Sequence, residues 1–403
     1  MKIWAWGANT NAQCGLGYCS EQVSSPTLVP VQFKCPKNPN KIRTFADYPD
    51  ILPLKVAGGA SETVLLVENI PFTEPFEWKS NFVILPYPKM RDISCGWDFS
   101  LYLSNEGNLH SRGNNSHCQL GRVLPEGSKS DKQWDHNNFA EDPTDQSVGL
   151  DLAQVAAGLR HGAVISSHLE LLVWGNNSQN QIGPSTRPGP DEPISQKIIA
   201  TPREATVLDF PAGFHTGFTQ VACGKDFTIA CDQEGWLYGC GLNKYGCLCH
   251  APQDVKGFQG FASIFEKIPN RSFPGNIADL KCGWGHCLAL LDTGKVVTWG
   301  RNDFGQLGRD SYNPKFDVEP KPIVLPESIV SIACGSEHSL ALGESGAVYA
   351  WGWNEHDNCG VPNRQYGNVT TDSIRYPIRV PFPEPVKVEV VGCGAGTSFA
   401  VSL

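Results

Sequence analysis

The sequence contains very little methionine and no stretch with a sustained helical period. Of its 403 residues only two are Met, whereas 41 are Gly and 30 are Pro. Gly and Pro interrupt helices and favour turns. No apolar run approaches the length that spans a bilayer, and the N-terminal residues hold no apolar run long enough for a secretory signal. We therefore expect strands and turns with very little helix, no membrane insertion, and a cytoplasmic location with the nucleus as a second compartment.

The chain also lacks a concentration of basic residues. Its formal net charge is -9, with 32 Lys and Arg against 41 Asp and Glu, and the basic residues are scattered along the sequence. A nucleic-acid surface requires a basic stripe to neutralise phosphates. The composition therefore predicts no direct contact with DNA or RNA.

Signals for a cofactor, a metal or covalent catalysis are weak. The 15 cysteines are an odd number, which argues against a complete disulfide framework. Cys247, Cys249 and His250 form a C-x-C-H sequence without a second ligand pair, and such a sequence is a weak zinc signal. The Gly-rich loops lack the Lys-Ser/Thr of a phosphate-binding loop. We expect no bound metal and no cofactor.

A repeated unit fills most of the chain. Its best-preserved copy, residues 333–360, reads ACGSEHSLALGESGAVYAWGWNEHDNCG. It contains a strand ending in Cys-Gly, a second strand, a Gly turn, a third strand with Trp-Gly-x-Asn, and a Gly-bounded loop. Two short strands joined by a Gly turn indicate a hairpin, and a single hairpin cannot bury its apolar face. The unit is therefore expected to stack against copies of itself.

The Gly of the Cys-Gly step, which we call the anchor glycine, recurs seven times with variable spacing. The anchor glycines are Gly59, Gly96, Gly158, Gly224, Gly283, Gly335 and Gly394. The first copy is the weakest, because after Val64 no Trp-Gly-x-Asn element follows and only Trp78 and Asn81 resemble one. This copy is either truncated or has diverged. Between copies, Pro-containing connections predict short outer strands, for example around Ile323 and Ile378.

The two ends of the chain complement each other. Residues 3–17 contain only the second half of a unit, whereas residues 386–403 contain only the first half. Pairing of the two ends completes one unit and closes a ring without open sheet edges. The sequence therefore predicts an all-β fold, a seven-bladed β-propeller forming a single domain over residues 1–403, its last blade closed by the N-terminal strand. The segment around Trp6 should pair with that around Phe399, and the closed ring should be a monomer.

Cysteines and tryptophans recur at fixed places in the repeat. A small thiol suits a tight interior site, although reactive thiols stay an alternative. The five cysteines that precede an anchor glycine are Cys95, Cys223, Cys282, Cys334 and Cys393. The tryptophans expected to pack in the core or between blades are Trp6, Trp174, Trp299 and Trp351. Trp97 and Trp284 directly follow an anchor glycine and are expected at the mouth of the central axis.

These motifs resemble the family of the regulator of chromosome condensation. The resemblance rests on repeated Cys-Gly-x-x-His/Phe-Ser/Thr strands, followed by Trp-Gly-x-Asn and Gly-Gln-Leu-Gly loops such as WGRNDFGQLGR from Trp299. CGWDFSLYLSNEG from Cys95 and CGSEHSLAL from Cys334 look most like a cytosolic, secretion-linked guanine nucleotide exchange member. The resemblance implies a seven-bladed propeller, a small GTPase as partner and a link to the exocyst tethering complex. A propeller scaffold that binds partners without nucleotide exchange stays an alternative.

The resemblance also implies where a GTPase would dock, because the chromosome-bound relative contacts its GTPase through the loop after the anchor glycine. The residues at matching positions are Asp98, Arg160, His161, Asp226, His286, Glu337 and His338. Acidic groups there could compete for the loop lysine that holds the nucleotide phosphates. Phe99 and Phe227 replace the histidine in two copies, which favours a structural role for the histidines. The carboxylates could equally be solvated or turn-forming, and convergence on one face would favour function.

A light-sensing member of the family uses clustered tryptophans. Trp97 and Trp284 are two well-separated tryptophans in this sequence, which makes light sensing a remote alternative.

Overall fold

The fold was obtained as a computed structural model and contains no helix in the part of the chain that it describes. No segment of that part is therefore a helix that could cross a membrane. The described residues are 2–11, 13–16, 18–29, 32–35, 38–44, 53–60, 62–67, 69–73, 81–84, 88–121, 151–183, 198–204, 217–249, 261–268, 273, 275–311, 313–362 and 372–402.

The described residues form 29 strands in seven sheets, which we call blades. In chain order the strands are β1 (Lys2–Asn9), β2 (Ser20–Leu28), β3 (Gln32–Cys35), β4 (Asn38–Thr44), β5 (Pro53–Gly58), β6 (Thr63–Val67), β7 (Ile70–Thr73), β8 (Asn81–Ile84), β9 (Met90–Cys95), β10 (Phe99–Ser104), β11 (Leu109–Gly113), β12 (Leu152–Ala157), β13 (His161–Ser166), β14 (Leu171–Asn176), β15 (Ile198–Glu204), β16 (Phe218–Cys223), β17 (Phe227–Asp232), β18 (Leu237–Leu242), β19 (Phe261–Lys267), β20 (Ile277–Cys282), β21 (His286–Leu291), β22 (Val296–Arg301), β23 (Phe316–Pro322), β24 (Ile329–Cys334), β25 (His338–Gly343), β26 (Val348–Trp353), β27 (Ser373–Arg379), β28 (Val388–Cys393) and β29 (Thr397–Ser402).

Most blades are four-stranded antiparallel meanders. Blades 3 to 6 are β12–β15, β16–β19, β20–β23 and β24–β27, blade 2 shows β9–β11, and blade 7 combines β28, β29, β1 and β2. The second strand of a blade, such as β25, is buried along its whole length. Its sequence is mostly apolar because neighbouring blades cover both faces of the sheet.

The blades close into a ring. The first strand of each blade contacts the first strand of the next, and β28 of blade 7 contacts β5 of blade 1. In blade 7, β1 pairs with β29 in a register that places Ala5 opposite Phe399 and Trp6 opposite Ser398. The predicted seven-bladed propeller and its closure by the N-terminal strand are confirmed.

Blade 1 has diverged rather than been truncated. It contains four strands, β5 to β8, but its third strand β7 carries no Trp-Gly-x-Asn element. Asn81 opens the fourth strand, so its interpretation as part of the third-strand motif was wrong, and Trp78 lies outside the described residues. The sheet is extended further, because β3 pairs in parallel with β8 and carries β4 on its other edge. No repeat motif in residues 32–44 predicts this extension.

Four of the outer strands contain proline, as the connections predict. β2, β15, β23 and β27 each include at least one Pro, which an edge strand tolerates because one side of it needs no hydrogen-bond donor. Ile378 lies in β27, whereas Ile323 directly follows β23 and donates its N–H to the Val296 carbonyl at 3.0 Å. In blade 2 the expected outer strand falls in residues 122–150, outside the described part.

The repeated tryptophans fasten neighbouring blades, as predicted. Trp351 is fully buried, and its Nε1–H donates to the Gln306 carbonyl of the preceding blade at 2.8 Å. The equivalent bonds join Trp6 to Asn358 at 2.9 Å, Trp174 to Gln119 at 2.8 Å and Trp299 to Cys247 at 2.8 Å. Each indole therefore buries its apolar rings between two blades while its polar atom has a partner.

Candidate partner-binding face

All seven predicted site residues belong to one end of the propeller. Each lies in or directly after the loop from an anchor glycine to the second strand, which we call the anchor loop. Strands alternate in direction within a blade, so the loop after the third strand lies at the same end as the anchor loop. We call this end the anchor-loop face. The topology therefore answers the question that the sequence left open, because it brings all seven candidates to the same end of the ring.

The anchor glycine is required by close packing within and between blades. A Cβ on Gly158 would lie 2.1 Å from Cε1 of His161 and 2.6 Å from the carbonyl oxygen of Gly224 in the next blade. A Cβ on Gly96 would lie 2.0 Å from Cε1 of Phe99. The aromatic side chain three residues after the anchor thus covers the anchor itself, which explains why the two positions recur together.

Backbone hydrogen bonds join the anchor loops of successive blades around the axis. Trp284 N–H donates to the Ser336 carbonyl at 2.8 Å, and Ser336 N–H donates to the Ala395 carbonyl at 2.9 Å. Ala395 N–H then donates to the Gly59 carbonyl at 3.1 Å, which links blade 7 to blade 1. The loops that carry the candidate residues are therefore held in fixed positions relative to one another.

The three candidate histidines are fully buried beneath this face. His161 Nε2 lies 3.0 Å from Oγ1 of Thr228 in the next blade. Thr228 Oγ1 in turn donates to the Gln181 carbonyl at 2.6 Å. Because a hydroxyl has one hydrogen to donate, the imidazole must donate through Nε2–H. Burial lowers the pKa of His161 to about 4, which keeps the ring neutral.

The same arrangement recurs in two further blades. His286 Nε2 lies 3.0 Å from Ser339 Oγ, and His338 Nε2 lies 3.0 Å from Ser398 Oγ. Burial lowers the pKa of His286 to about 3 and that of His338 to about 4. These side chains join blades and are covered by protein, which matches the structural interpretation of the histidines.

The identity of the next blade explains why phenylalanine replaces histidine in two copies. Phe99 precedes a blade with Gly162 at the hydroxyl position, and Phe227 precedes one with Cys287 there. Each of the three histidines precedes a blade with Ser or Thr at that position, whereas Thr397 takes the histidine place before Thr63 of blade 1. In blade 1, Glu62 takes the histidine place and accepts a hydrogen bond from Ser100 Oγ at 2.7 Å. The sequence contained this pairing between successive repeats, and comparing the fourth residue after each anchor would have revealed it.

Two of the candidate carboxylates lie partly exposed at the anchor-loop face. Asp98 accepts hydrogen bonds from Asn114 Nδ2 at 2.7 Å and Gln119 Nε2 at 3.3 Å. Asp226 accepts a long bond from Gln181 Nε2 at 3.5 Å. Burial raises the pKa of the Asp226 carboxyl, and this rise is opposed by the positive charges of Lys225 and Arg160.

Arg160 is also partly exposed at this face. Its Nη1 lies 3.5 Å from Nε2 of His117. The pKa of His117 is lowered by burial and by the neighbouring Arg160 guanidinium, and the carboxylate of Asp98 opposes this shift. Arg160 therefore contributes positive charge between the two partly exposed carboxylates of blades 2 and 4.

Glu337 differs from the other candidate carboxylates because it is buried and its negative charge is neutralised by a cation of the protein itself. Its side chain is buried and forms an ion pair with Arg301 of the preceding blade. Gln306 Nε2 also donates to its Oε2 at 2.7 Å. Burial raises the pKa of the Glu337 carboxyl, whereas Arg301 opposes the rise. The Arg301 guanidinium lies 4.9 Å from the Tyr245 ring centroid, so this pair fastens blades 4, 5 and 6.

Two tryptophans meet at the mouth of the axial channel. The ring centroids of Trp97 and Trp284 lie 5.3 Å apart, and Lys225 Nζ lies 5.3 Å from the Trp284 ring centroid. The view of these residues as well separated was wrong in space, because ring closure brings blades 2 and 5 towards the axis. Both residues line a cavity of about 80 Å³ together with the other anchor loops.

Four of the five anchor cysteines line this cavity. They are Cys95, Cys223, Cys282 and Cys334. Cys393 is buried, as is Cys223, and the remaining three are partly exposed. The 14 described cysteine side chains are free thiols. Cys247 of the C-x-C-H sequence is buried and donates to the Gly285 carbonyl at 2.9 Å, whereas His250 lies outside the described residues.

The structure therefore brings Asp98, Arg160 and Asp226 to one end with their side chains partly exposed, and it assigns the remaining candidates to contacts between blades.

Comparison with known proteins gives the relation of this fold to others. A family model described as "RCC1-like domain" matches residues 68–400, and one described as "Regulator of chromosome condensation (RCC1) repeat" matches residues 2–66. The chain belongs to the RCC1-like domain family.

Individual relatives of this RCC1-like chain cover nearly its full length. The secretion-regulating guanine nucleotide exchange factor of Mus musculus is 29% identical over 99% of this chain and 83% of its own length. Among solved structures, human WBSCR16 has a TM-score of 0.73 and 19% identity, with full coverage of both chains. Prp20p from Saccharomyces cerevisiae, described with its binding to Gsp1p and histones, has a TM-score of 0.72 and 19% identity over 100% of this chain and 91% of its own. The two structures support the RCC1-like propeller fold.

Proposed function

We propose that this RCC1-like propeller is a guanine nucleotide exchange factor, or another regulator, of a small GTPase, and that it docks through the anchor-loop face. The observation that carries the proposal is the placement of Asp98, Arg160 and Asp226 at one end of the ring. Support also comes from a relative in Mus musculus that is named as an exchange factor and aligns with 99% of the chain.

The proposed mechanism needs no covalent step. An exchange factor binds the nucleotide-free GTPase more tightly than the loaded form, and it shifts that equilibrium by the difference in affinity. In loaded GTPases a loop lysine holds the nucleotide phosphates. The half-buried carboxylate of Asp226 is suited to accept that lysine, because partial burial strengthens a charge pair relative to open solvent.

The anchor loops suit this role because they are fixed before a partner arrives. Backbone bonds such as Trp284 N–H to the Ser336 carbonyl, at 2.8 Å, restrain each loop against the next. A preformed surface loses less conformational freedom on binding than a mobile one. The binding energy is then available to distinguish the two nucleotide states of the GTPase.

Nucleotide release measures this activity directly. A panel of small GTPases loaded with a fluorescent guanine nucleotide is mixed with the full chain, and loss of fluorescence is followed. We expect faster release from at least one GTPase, and a loss of most of that acceleration in the Asp226→Ala and Arg160→Ala variants. Glu344→Ala is the matched control, since Glu344 is exposed in the turn at the opposite end of blade 6.

Absence of accelerated release from every GTPase, together with a stable GTPase complex in a pull-down, would establish the scaffold alternative.

We further propose a cytoplasmic location, with the nucleus as a second compartment, and a role in secretion through an exocyst component. The role in secretion is supported by the Mus musculus relative, which is named as a secretion-regulating guanine nucleotide exchange factor. Co-purification of exocyst subunits with the tagged chain, compared with the Asp226→Ala variant, tests it.

A further inference from the structure

A pair of thiols lies at the channel end of blade 5. Cys282 ends strand β20 and Cys287 is directly opposite it in the register of β20 and β21. The Cys282 thiol donates to Cys287 Sγ at 3.6 Å. Residues directly opposite in an antiparallel pair have Cα atoms about 4.5–5.5 Å apart, which lies within the span of disulfides. The backbone is therefore already placed for a cross-strand bridge.

The same position in the other blades carries no second thiol. The residues opposite the remaining anchor cysteines are Ser100 for Cys95, Thr228 for Cys223, Ser339 for Cys334 and Ser398 for Cys393. Each of those hydroxyls forms a hydrogen bond with a histidine or glutamate of the preceding blade. The equivalent residue before blade 5 is Phe227, whose side chain forms no hydrogen bond. Blade 5 thus differs from four equivalent sites by one residue that changes its chemistry.

The two thiols also differ in their access to small molecules. Cys282 is partly exposed and lines the cavity of about 80 Å³ that Trp97 and Trp284 also line. Cys287 is fully buried between blades 4 and 5, next to Cys247. A reactant that enters the channel mouth therefore meets Cys282 first, and Cys287 is held behind it.

We propose that Cys282 and Cys287 are an oxidation site, in which a small hydroperoxide oxidises Cys282 and Cys287 then closes an intrablade disulfide. In the first step the Cys282 sulfur attacks the peroxide, the O–O bond breaks, and sulfenic acid and water form (the alcohol in place of water for an organic hydroperoxide). In the second step the Cys287 sulfur attacks the sulfenic sulfur, the S–O bond breaks, and water leaves as the S–S bond forms. The peroxide takes up the two electrons that the thiols lose.

Burial governs the rate of this reaction. It raises the pKa of the Cys287 thiol well above its ordinary range, and the thiolate is the reactive form. Closure is therefore expected to be slow at neutral pH and faster at alkaline pH. The bridge would lie two residues from Trp284, so its formation should also change the fluorescence of the Trp97 and Trp284 pair.

Peptide mapping tests the proposal, because trypsin releases both thiols on one peptide. Cleavage after Lys281 and Lys295 gives residues 282–295, whereas Cys247 and Cys249 lie together on residues 245–256. The folded chain is treated with hydrogen peroxide, denatured, alkylated and digested. We expect peptide 282–295 to lose both alkylation sites and to weigh two hydrogen atoms less, with reversal by dithiothreitol.

Two matched variants define the site. Cys287→Ser copies the Cys334 and Ser339 pair, and it should abolish the bridge while leaving Cys282 open to alkylation or to sulfenic acid trapping. Ser339→Cys copies the thiol pair into blade 6, and it should create a bridge to Cys334. The proposal is overturned if both cysteines of peptide 282–295 remain alkylatable after peroxide, or if Cys287 is recovered linked to peptide 245–256 instead.

Discussion

His161 of blade 3 donates its Nε2–H to Thr228 Oγ1 of blade 4 across 3.0 Å, and neither side chain reaches solvent. The Thr228 hydroxyl in turn donates a hydrogen bond to the Gln181 carbonyl, which belongs to the loop after the third strand of blade 3. A side chain and a backbone group of one blade are thus both satisfied by one hydroxyl of the next. The pairing of residues between repeats, rather than either residue alone, specifies how the blades join.

A double-mutant cycle tests this pairing with a combination that the chain already contains. Thr228→Cys alone leaves the buried Nε2–H without a good acceptor, and it should reduce the free energy of unfolding by about 1–3 kcal/mol. The double variant His161→Phe with Thr228→Cys copies Phe227 and Cys287. It should be less destabilised than the sum of the single changes, with a coupling energy of about 0.5–3 kcal/mol.

Urea unfolding followed by tryptophan fluorescence measures the four stabilities, with dithiothreitol present because Thr228→Cys places a second thiol opposite Cys223. Phe99→Leu serves as a control, because the blade after Phe99 carries Gly162 at the hydroxyl position and offers no hydroxyl to pair with. If the changes at positions 161 and 228 add without coupling, the two residues do not act as a unit and the rule fails.

Acid should destabilise the propeller through its buried histidines. Their pKa values of about 4, 3 and 4 for His161, His286 and His338 lie below the ordinary 6.5. As pH falls below 6.5 the unfolded chain binds protons that the folded chain does not, so stability present above pH 6.5 is lost towards pH 4. The loss between pH 7 and pH 5 should be on the order of 1–2 kcal/mol for each histidine.

Chemical unfolding at half-unit pH intervals from 7 to 5 provides the measurement. The double variant of His161 and Thr228 removes one of the three fully buried histidines, so its loss of stability between pH 7 and pH 5 should be smaller by about 1–2 kcal/mol. A slope identical to that of the unmodified chain would show that His161 does not titrate differently in the folded and unfolded states.

Removal of either partner of the Arg301 and Glu337 ion pair should destabilise the protein, because the other charge would stay buried without a partner. Arg301→Leu leaves a buried carboxylate without its cation, and the expected loss is about 2–4 kcal/mol. The loss should be smaller near pH 4, where Glu337 protonates more readily, and larger at pH 8. The matched control is Arg309→Leu, which removes the Arg309 to Asp317 pair within one blade. Thermal unfolding at both pH values measures the difference, and a pH-independent loss would contradict the assignment.

Much of the fold followed from the sequence because the ring is built from local units. Anchor glycines such as Gly158 mark the hairpins, and the half units at the two ends specify the closure between Trp6 and Phe399. Blade 1 could not be read in this way, because its third strand β7 lacks every motif residue and is held only by its neighbours. The β3 and β4 extension likewise depends on tertiary pairing with β8.

The candidate site could be predicted only in part. Position in the repeat places Asp98, Arg160 and Asp226 at one face, but it does not separate them from Glu337, whose charge is compensated by Arg301 of another blade. The contact of Trp97 with Trp284 arises from ring geometry between distant segments, which no local pattern encodes. The structural role of His161 could be predicted from the sequence, but the informative residue is Thr228, which belongs to the following repeat.

Ring closure by β1 should be the least replaceable feature of the protein. Lys2–Asn9 pairs on one side with β29 and on the other with β2, and it buries Trp4 and Trp6. Trp6→Ala removes a buried indole and its bond to the Asn358 carbonyl, so it should reduce the free energy of unfolding by about 3–5 kcal/mol. Trp97→Ala, at the partly exposed channel mouth, should reduce the free energy of unfolding far less.

Deletion of residues 2–9 should expose the edge of β29 and cause concentration-dependent association. Light scattering after size-exclusion chromatography detects that association. A deletion variant that stays monomeric with an unchanged unfolding midpoint would show that β1 does not close the ring.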